Sequence, residues 1–151
     1  VDAVVGRADV FARMTYGEGS DTWSAHPLGC ASVLATLDEF EQGDVLAQGL
    51  KLSALIEESL LKLAELPAID AVRGEGTVWG MECAPVAGMR ADEVAHEIVR
   101  RCYLGDAEGR AIHLLGPLAG RVIRIAPPLT MDLGEAREYF QVLHGIVAEL
   151  R

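Results

Sequence analysis

Ala71-Val72-Arg73-Gly74-Glu75-Gly76-Thr77-Val78-Trp79-Gly80-Met81-Glu82-Cys83 is the stretch in which the hydrophobic period of the chain drops from near four to two. Ala71–Gly74 and Thr77–Cys83 alternate as strands do, and Thr77, Trp79, Met81 and Cys83 share one face. The glycines between them permit a tight turn, so Arg73 is assigned to the structure of the strand pair. An isolated strand pair cannot bury its own apolar face, and the flanking sequence offers helices to cover it.

Upstream, Asp44 is placed to cap a helix in which Val45, Leu46, Leu50, Leu52, Leu55, Ile56, Leu60, Leu63 and Leu66 make a broad apolar face before Pro67. Over residues 45–66 that helix would be roughly 33 Å long, enough to cross a domain or join two. Before it, Pro27 suits a first helical turn, and Leu28, Ala31, Leu34, Ala35 and Leu37 repeat at helical spacing to about Glu41, with a stop at Gly43. Tyr16–Thr22 has the glycines and short polar side chains of a loop. Downstream, Val94, Ala95, Ile98, Val99 and Cys102 restore the helical period over 91–103. Ile112–Leu115 and Arg121–Ile125 read as two strands joined through residues 116–120. Asp132, three residues before Glu135, has capping-box spacing for a last helix striped by Leu133, Ala136, Phe140, Leu143, Val147 and Leu150. This order predicts an α+β fold, a small and mostly antiparallel sheet covered by helices and preceded by a long helix.

Of the 151 residues half are hydrophobic and 24% are charged, which is enough to bury a core. The formal charge of -10 disfavours nucleic acid and anionic membrane surfaces as partners. The sequence shows neither a membrane-spanning run nor a signal-peptide order, and it reads as a cytoplasmic protein. Cys30, Cys83 and Cys102 have no CxxC spacing and each sits within an apolar pattern, so they read as buried small hydrophobes in a reducing compartment. His96, His113 and His144 lie on separate elements without ligand spacing, and no metal site is expected.

Three blocks go beyond composition. Thr22-Trp23-Ser24-Ala25-His26-Pro27-Leu28-Gly29-Cys30-Ala31, Val72-Arg73-Gly74-Glu75-Gly76 continuing through Trp79-Gly80-Met81-Glu82, and Val122-Ile123-Arg124-Ile125-Ala126-Pro127-Pro128-Leu129-Thr130 stand in this order around the long helix. Together they resemble the C-terminal portion of class III (subgroup II, fold type I) aminotransferases, which depend on pyridoxal 5'-phosphate.

The resemblance implies that residues 1–42 are the tail of a large cofactor domain and 43–151 a C-terminal small domain. The Schiff-base lysine, the aspartate on the pyridine nitrogen and the phosphate loop would then lie upstream, in a large domain that is the first partner of this chain. Lys51 and Lys62 match no motif position, so the chain by itself is expected to be inactive and no catalytic residue is assigned to it. By the same resemblance Thr22 would contact the cofactor phosphate across a homodimer interface. Arg124 would bind a substrate carboxylate, and between apolar neighbours its guanidinium is expected to need an anion. His26 is assigned to loop shape. The intact enzyme would move an amino group between a small-molecule donor and an oxo acid or aldehyde. The alternatives are an aminomutase or decarboxylase of the same superfamily, or a free-standing, non-catalytic dimerisation module.

Overall fold

Residues 4–19 and 22–150 are described by the computed structural model. The chain divides into two units, Val1–Asp44 and Val45–Arg151. Ser20 and Asp21, within the Tyr16–Thr22 loop expected from the sequence, lie outside the described residues.

The first unit contains α1 (Ala8–Phe11) and α2 (Pro27–Gln42). Pro27 opens α2 in its first turn, where its missing N–H leaves no broken bond, and Gly43 closes it with its N–H on the Glu39 carbonyl at 2.9 Å. Neither helix buries a residue. Cys30, expected inside a core, is exposed on α2, because its unit has no second layer to cover that helix.

The second unit runs α3 (Val45–Leu63), β1 (Ile69–Glu75), β2 (Val78–Cys83), α4 (Ala91–Leu104), β3 (Val122–Ile125) and α5 (Leu133–Ala148). It is an α+β fold in which the three strands form one antiparallel sheet in the order β1-β2-β3. The apolar stripe of α3 (Leu52, Ile56, Leu60 and Leu63) is fully buried, with α3 packed on β1 and α5. Each such side chain contributes about 1.5–3 kcal/mol through burial. The helix stops at Leu63, earlier than the apolar pattern suggests, because the chain tightens into short turns in which Glu65 and Leu66 donate to the Lys62 and Leu63 carbonyls. The Gln48 amide, donating to the Met131 carbonyl at 2.9 Å, ties the start of α3 to the turn before α5.

β1 and β2 form a hairpin around Gly76-Thr77, with Gly76 at φ +62°. Thr77 therefore sits in the turn rather than on the strand face expected for it. At position 74 only glycine fits without a clash, since a Cβ there would collide with the Val78 carbonyl oxygen and come within 2.6 Å of the Trp79 Cα. Trp79 packs its ring into the core and donates its indole N–H to the Gly76 carbonyl at 3.0 Å.

β3 pairs with β2 in the register Trp79↔Ile125, Gly80↔Arg124, Met81↔Ile123 and Glu82↔Val122. Paired residues share a face, so Trp79, Met81, Cys83, Ile123 and Ile125 all point to the core, where α4 packs on β2 and β3. Burial pushes the Cys83 thiol up to about 11, with the nearby Arg121 acting against the rise, and burial alone does the same for Cys102. Both are protonated packing residues at neutral pH.

Ile112–Leu115 is not a strand, and this corrects the expected second hairpin. The Ile112 N–H is committed to the Cys102 carbonyl at 2.7 Å, which anchors the segment to the end of α4 instead of the sheet. Of the expected capping box on α5, one half forms: the Asp132 carboxylate accepts from the N–H groups of Gly134 and Glu135, while Glu135 accepts the Tyr139 hydroxyl at 2.9 Å.

Candidate functional site

Arg124 occupies the middle of β3, a four-residue strand whose burial pattern alternates. Its neighbours Ile123 and Ile125 go into the core, so the pleat sends Arg124 to the opposite face of the sheet. There the guanidinium is exposed, and among the described residues it makes no ion pair or hydrogen bond. This corrects the expectation of a partly buried guanidinium that must find an anion: desolvation does not force a partner on it. An unpaired arginine on an ordered strand instead leaves the whole planar fork available to a carboxylate or phosphate.

Beside it, residues of β3 and its extension, the segment 111–115 and α5 line a cavity of about 510 Å³. Ile112, Leu114, Pro127, Phe140 and Leu143 give it a mainly apolar wall and Tyr139 adds a hydroxyl, while Arg124 borders it from β3. That volume and this balance of lining suit a small organic molecule with one charged end. The hydrogen bond to Glu135 raises the Tyr139 phenol above its usual range, so Tyr139 remains a neutral hydroxyl in this wall. Sequence reasoning did not find this cavity, because the segment 111–115 lines it as irregular chain rather than as a strand.

On the same sheet face lies a second feature that the sequence left unread. The Glu82 carboxylate, 8% exposed as a residue, is held by Arg73 at 2.5 Å and by Arg121, which also reaches Asp70 at 3.4 Å. A two-residue turn at Gly76-Thr77 pairs Arg73 with Gly80 and puts Glu82 diagonally across from it, a signal that counting outward from the turn reveals.

Thr22 belongs to the first unit and Arg124 to the second. Thr22 is exposed on the turn that leads through His26 into the N-terminus of α2. Its hydroxyl has no hydrogen-bond partner among the described residues. The Trp23 and His26 rings lie 5.5 Å apart, and His26 stands at the helix entry without a side-chain cap. Lys51 and Lys62 are both exposed on α3, and Lys62 pairs with Glu58 at 2.6 Å. No group of three or more His, Cys, Asp or Glu able to hold a metal ion occurs among the described residues. Nor is any described helix long and apolar enough to cross a membrane.

Comparison with known proteins places the chain in a family. A family model described as Aminotransferase class-III matches residues 1–147. An omega-aminotransferase of Caulobacter vibrioides is 28% identical over 99% of this chain and 31% of its own length. An (R)-1-hydroxy-2-aminoethylphosphonate ammonia-lyase of Vibrio splendidus is 30% identical over 87% of this chain and 27% of its own length. The chain thus spans less than a third of these two relatives. The crystal structure of acetylornithine aminotransferase from Elizabethkingia anophelis has a similar fold, with a TM-score of 0.69 at 21% identity over 94% of this chain and 35% of that one.

Proposed function

The chain belongs to the class III aminotransferases, and from that premise we propose that it serves as the C-terminal portion of a pyridoxal-phosphate-dependent enzyme that moves an amino group between a small-molecule donor and an oxo acid or aldehyde. In this reading residues 1–42 close the large cofactor domain and 43–151 are the small domain. The enzyme works as a cytoplasmic homodimer. The observation that carries the proposal is Arg124: an exposed guanidinium without a partner among the described residues, fixed on β3 at the edge of an apolar cavity.

Thr22 fits the cofactor's phosphate on structural grounds. Its short side chain is exposed, its hydroxyl has no partner among the described residues, and it stands just before a helix N-terminus, where positive dipole favours an anion. Pyridoxal 5'-phosphate, when bound, supplies an electron sink for bonds at the amino-bearing carbon. Within this chain, Thr22 donates to the phosphate across the dimer interface, Arg124 grips and orients a substrate carboxylate, and the apolar wall around Phe140 and Leu143 keeps water from the bound chain of the substrate. Proton transfer belongs to a lysine outside this chain, since neither Lys51 nor Lys62 meets the needs of that role in an enclosed site. By itself the 151-residue chain is inactive. The ammonia-lyase relative supports a second reading, in which the same scaffold serves ammonia elimination.

The two residues separate experimentally in the enzyme that carries this chain. Thr22→Ala removes one donor to a charged group, and cofactor retention falls by roughly 1.5–3 kcal/mol. Arg124→Lys keeps the charge but loses the fork, so cofactor stays bound while kcat/KM for carboxylate substrates drops. Cofactor dissociation and steady-state kinetics on both variants test this. An Arg124→Lys enzyme that sheds cofactor yet keeps its amino-acid kinetics would make Arg124 structural and end the proposal.

A further inference from the structure

Arg73 on β1 and Arg124 on β3 stand in one row of the sheet, each paired with Gly80 of β2. Glu82 lies one pleat further along β2 on the same face, opposite Ala71 on one side and Val122 on the other. Both arginines are therefore diagonal neighbours of Glu82, at a spacing of about 7–8 Å that long side chains close easily. Register makes them equivalent, but Glu82 takes only one.

Oε2 of Glu82 accepts from Nη1 of Arg73 at 2.5 Å, and Oε1 is taken by Nη2 of Arg121 at the entry to β3. Both carboxylate oxygens are committed, and Arg124 is left without an ion pair among the described residues. Gly80 contributes no side chain to the row between the two arginines, where a Cβ would meet Val122 Cγ1 at 3.2 Å. We propose that Arg73 and Arg121 are positioning residues that engage Glu82, and so keep the adjacent carboxylate from occupying Arg124 in place of an anionic substrate group. Glu82 is thus a built-in competitor held off by two guanidiniums. The inference rests on the reading of Arg124 as a substrate anchor, and it adds the reason that this arginine is free.

Loss of Arg73 and Arg121 would leave a carboxylate with 8% exposure in need of a cation, and Arg124 is the diagonal neighbour that remains. The test reads Arg124 directly in the full chain, by labelling with phenylglyoxal followed residue by residue by peptide mass spectrometry. Arg124 labels readily in the wild type. In Arg73→Met/Arg121→Met its rate falls by a factor of about five, the effect of one exposed ion pair. Adding Glu82→Gln restores the rate, which a merely structural role for the two arginines would not do. Sodium benzoate, a carboxylate with an apolar body, slows labelling of Arg124 in the wild type and in the triple variant but not in the double.

If the double variant does not fold, Arg73→Met decides: it frees Oε2 while Arg121 stays, and a smaller fall in the same direction is expected. An unchanged Arg124 rate in a folded variant, or no recovery with Glu82→Gln, overturns the inference while leaving the anchor role intact. If benzoate gives no protection while the rates follow the predicted order, the anchor reading fails and the competition between Glu82 and Arg124 stands.

Discussion

Leu34 on α2 and Ile56 on α3 occupy helices with the same apolar period, yet Leu34 is 63% exposed within its unit and Ile56 is fully buried. The difference lies in what each unit can place against the helix. In the second unit α3 meets both β1 and α5, α4 packs on β2 and β3, and α5 packs on both α3 and α4. In the first unit the described residues offer α2 the single turn of α1 and irregular chain, and none of them is buried. Periodicity thus specifies a helix and the side it would bury, whereas burial itself requires a second layer.

The largest expected effect is in the unit with that layer. Ile56→Ala empties a fully enclosed position and should cost about 2–5 kcal/mol, as transfer and cavity terms add. Urea unfolding of the chain followed by circular dichroism measures it. A change no larger than that of a surface substitution would show that α3 is not the keystone of the core, and would remove the contrast with α2.

A smaller loss is expected at the hairpin. Gly74→Ala drives a methyl group into the Val78 carbonyl and the Trp79 backbone, and relief requires the strands to part where Trp79 packs. The expected cost is about 1–3 kcal/mol, typical of overpacking. Gly76→Ala places a side chain at φ +62° but in open space, so it should be milder. Thermal unfolding of the two variants ranks them, and the reverse order would place the constraint in the turn rather than in strand contact.

What could be read in advance follows the range of the forces involved. The α2, α4 and α5 helices and the Arg73–Glu82 hairpin are set by local period, turn glycines and Pro27, and they appear where those signals lie. Ile112–Leu115 departs from the expected strand because a four-residue apolar run has no period of its own, and a hydrogen bond to the Cys102 carbonyl ties it to α4. The overrun at the end of α3 has the same origin: Ala64–Leu66 stays compatible with a helix until backbone turns intervene. At the site, the outward position of Arg124 was legible from alternation, but its exposure was not, since that depends on which sheet face receives the helices. The link from Glu82 to Arg121 spans strands separated by α4 in sequence and became visible only with the register of β3. Cys30 looked like a core residue because its helix has the right pattern, and only the missing second layer shows otherwise.

Acid should sharpen the contrast from within the second unit. Glu97 on α4 accepts hydrogen bonds from Arg100 and Arg101, which hold its carboxyl down at about 2, and Arg101 also reaches Glu149 beyond α5 at 3.4 Å. Because the folded value lies below the unfolded one, this contribution is present above the ordinary carboxylate range and is lost as pH falls towards 2. Glu97→Gln should therefore destabilise the chain at neutral pH and flatten its loss of stability between about pH 4.5 and 2. An unfolding series against pH with an unaltered acid limb would show that the Glu97 pairs contribute nothing in solution.

The smallest effect is expected on α2. Leu34→Gln keeps a straight, helix-compatible side chain, since the two residues have nearly equal helix propensity, and removes apolar surface that the first unit leaves exposed. Its effect on unfolding of the 151-residue chain should stay within about 0.5 kcal/mol, as for a surface substitution without a contact to lose. Measured beside Ile56→Ala under the same conditions, it gives the contrast between the units as a ratio. A loss of about 2 kcal/mol or more for Leu34→Gln would mean that this face is covered in solution, because only a buried leucine carries that much. Dependence of the loss on protein concentration would then assign the cover to a second copy of the chain, and its absence would assign it to the chain itself.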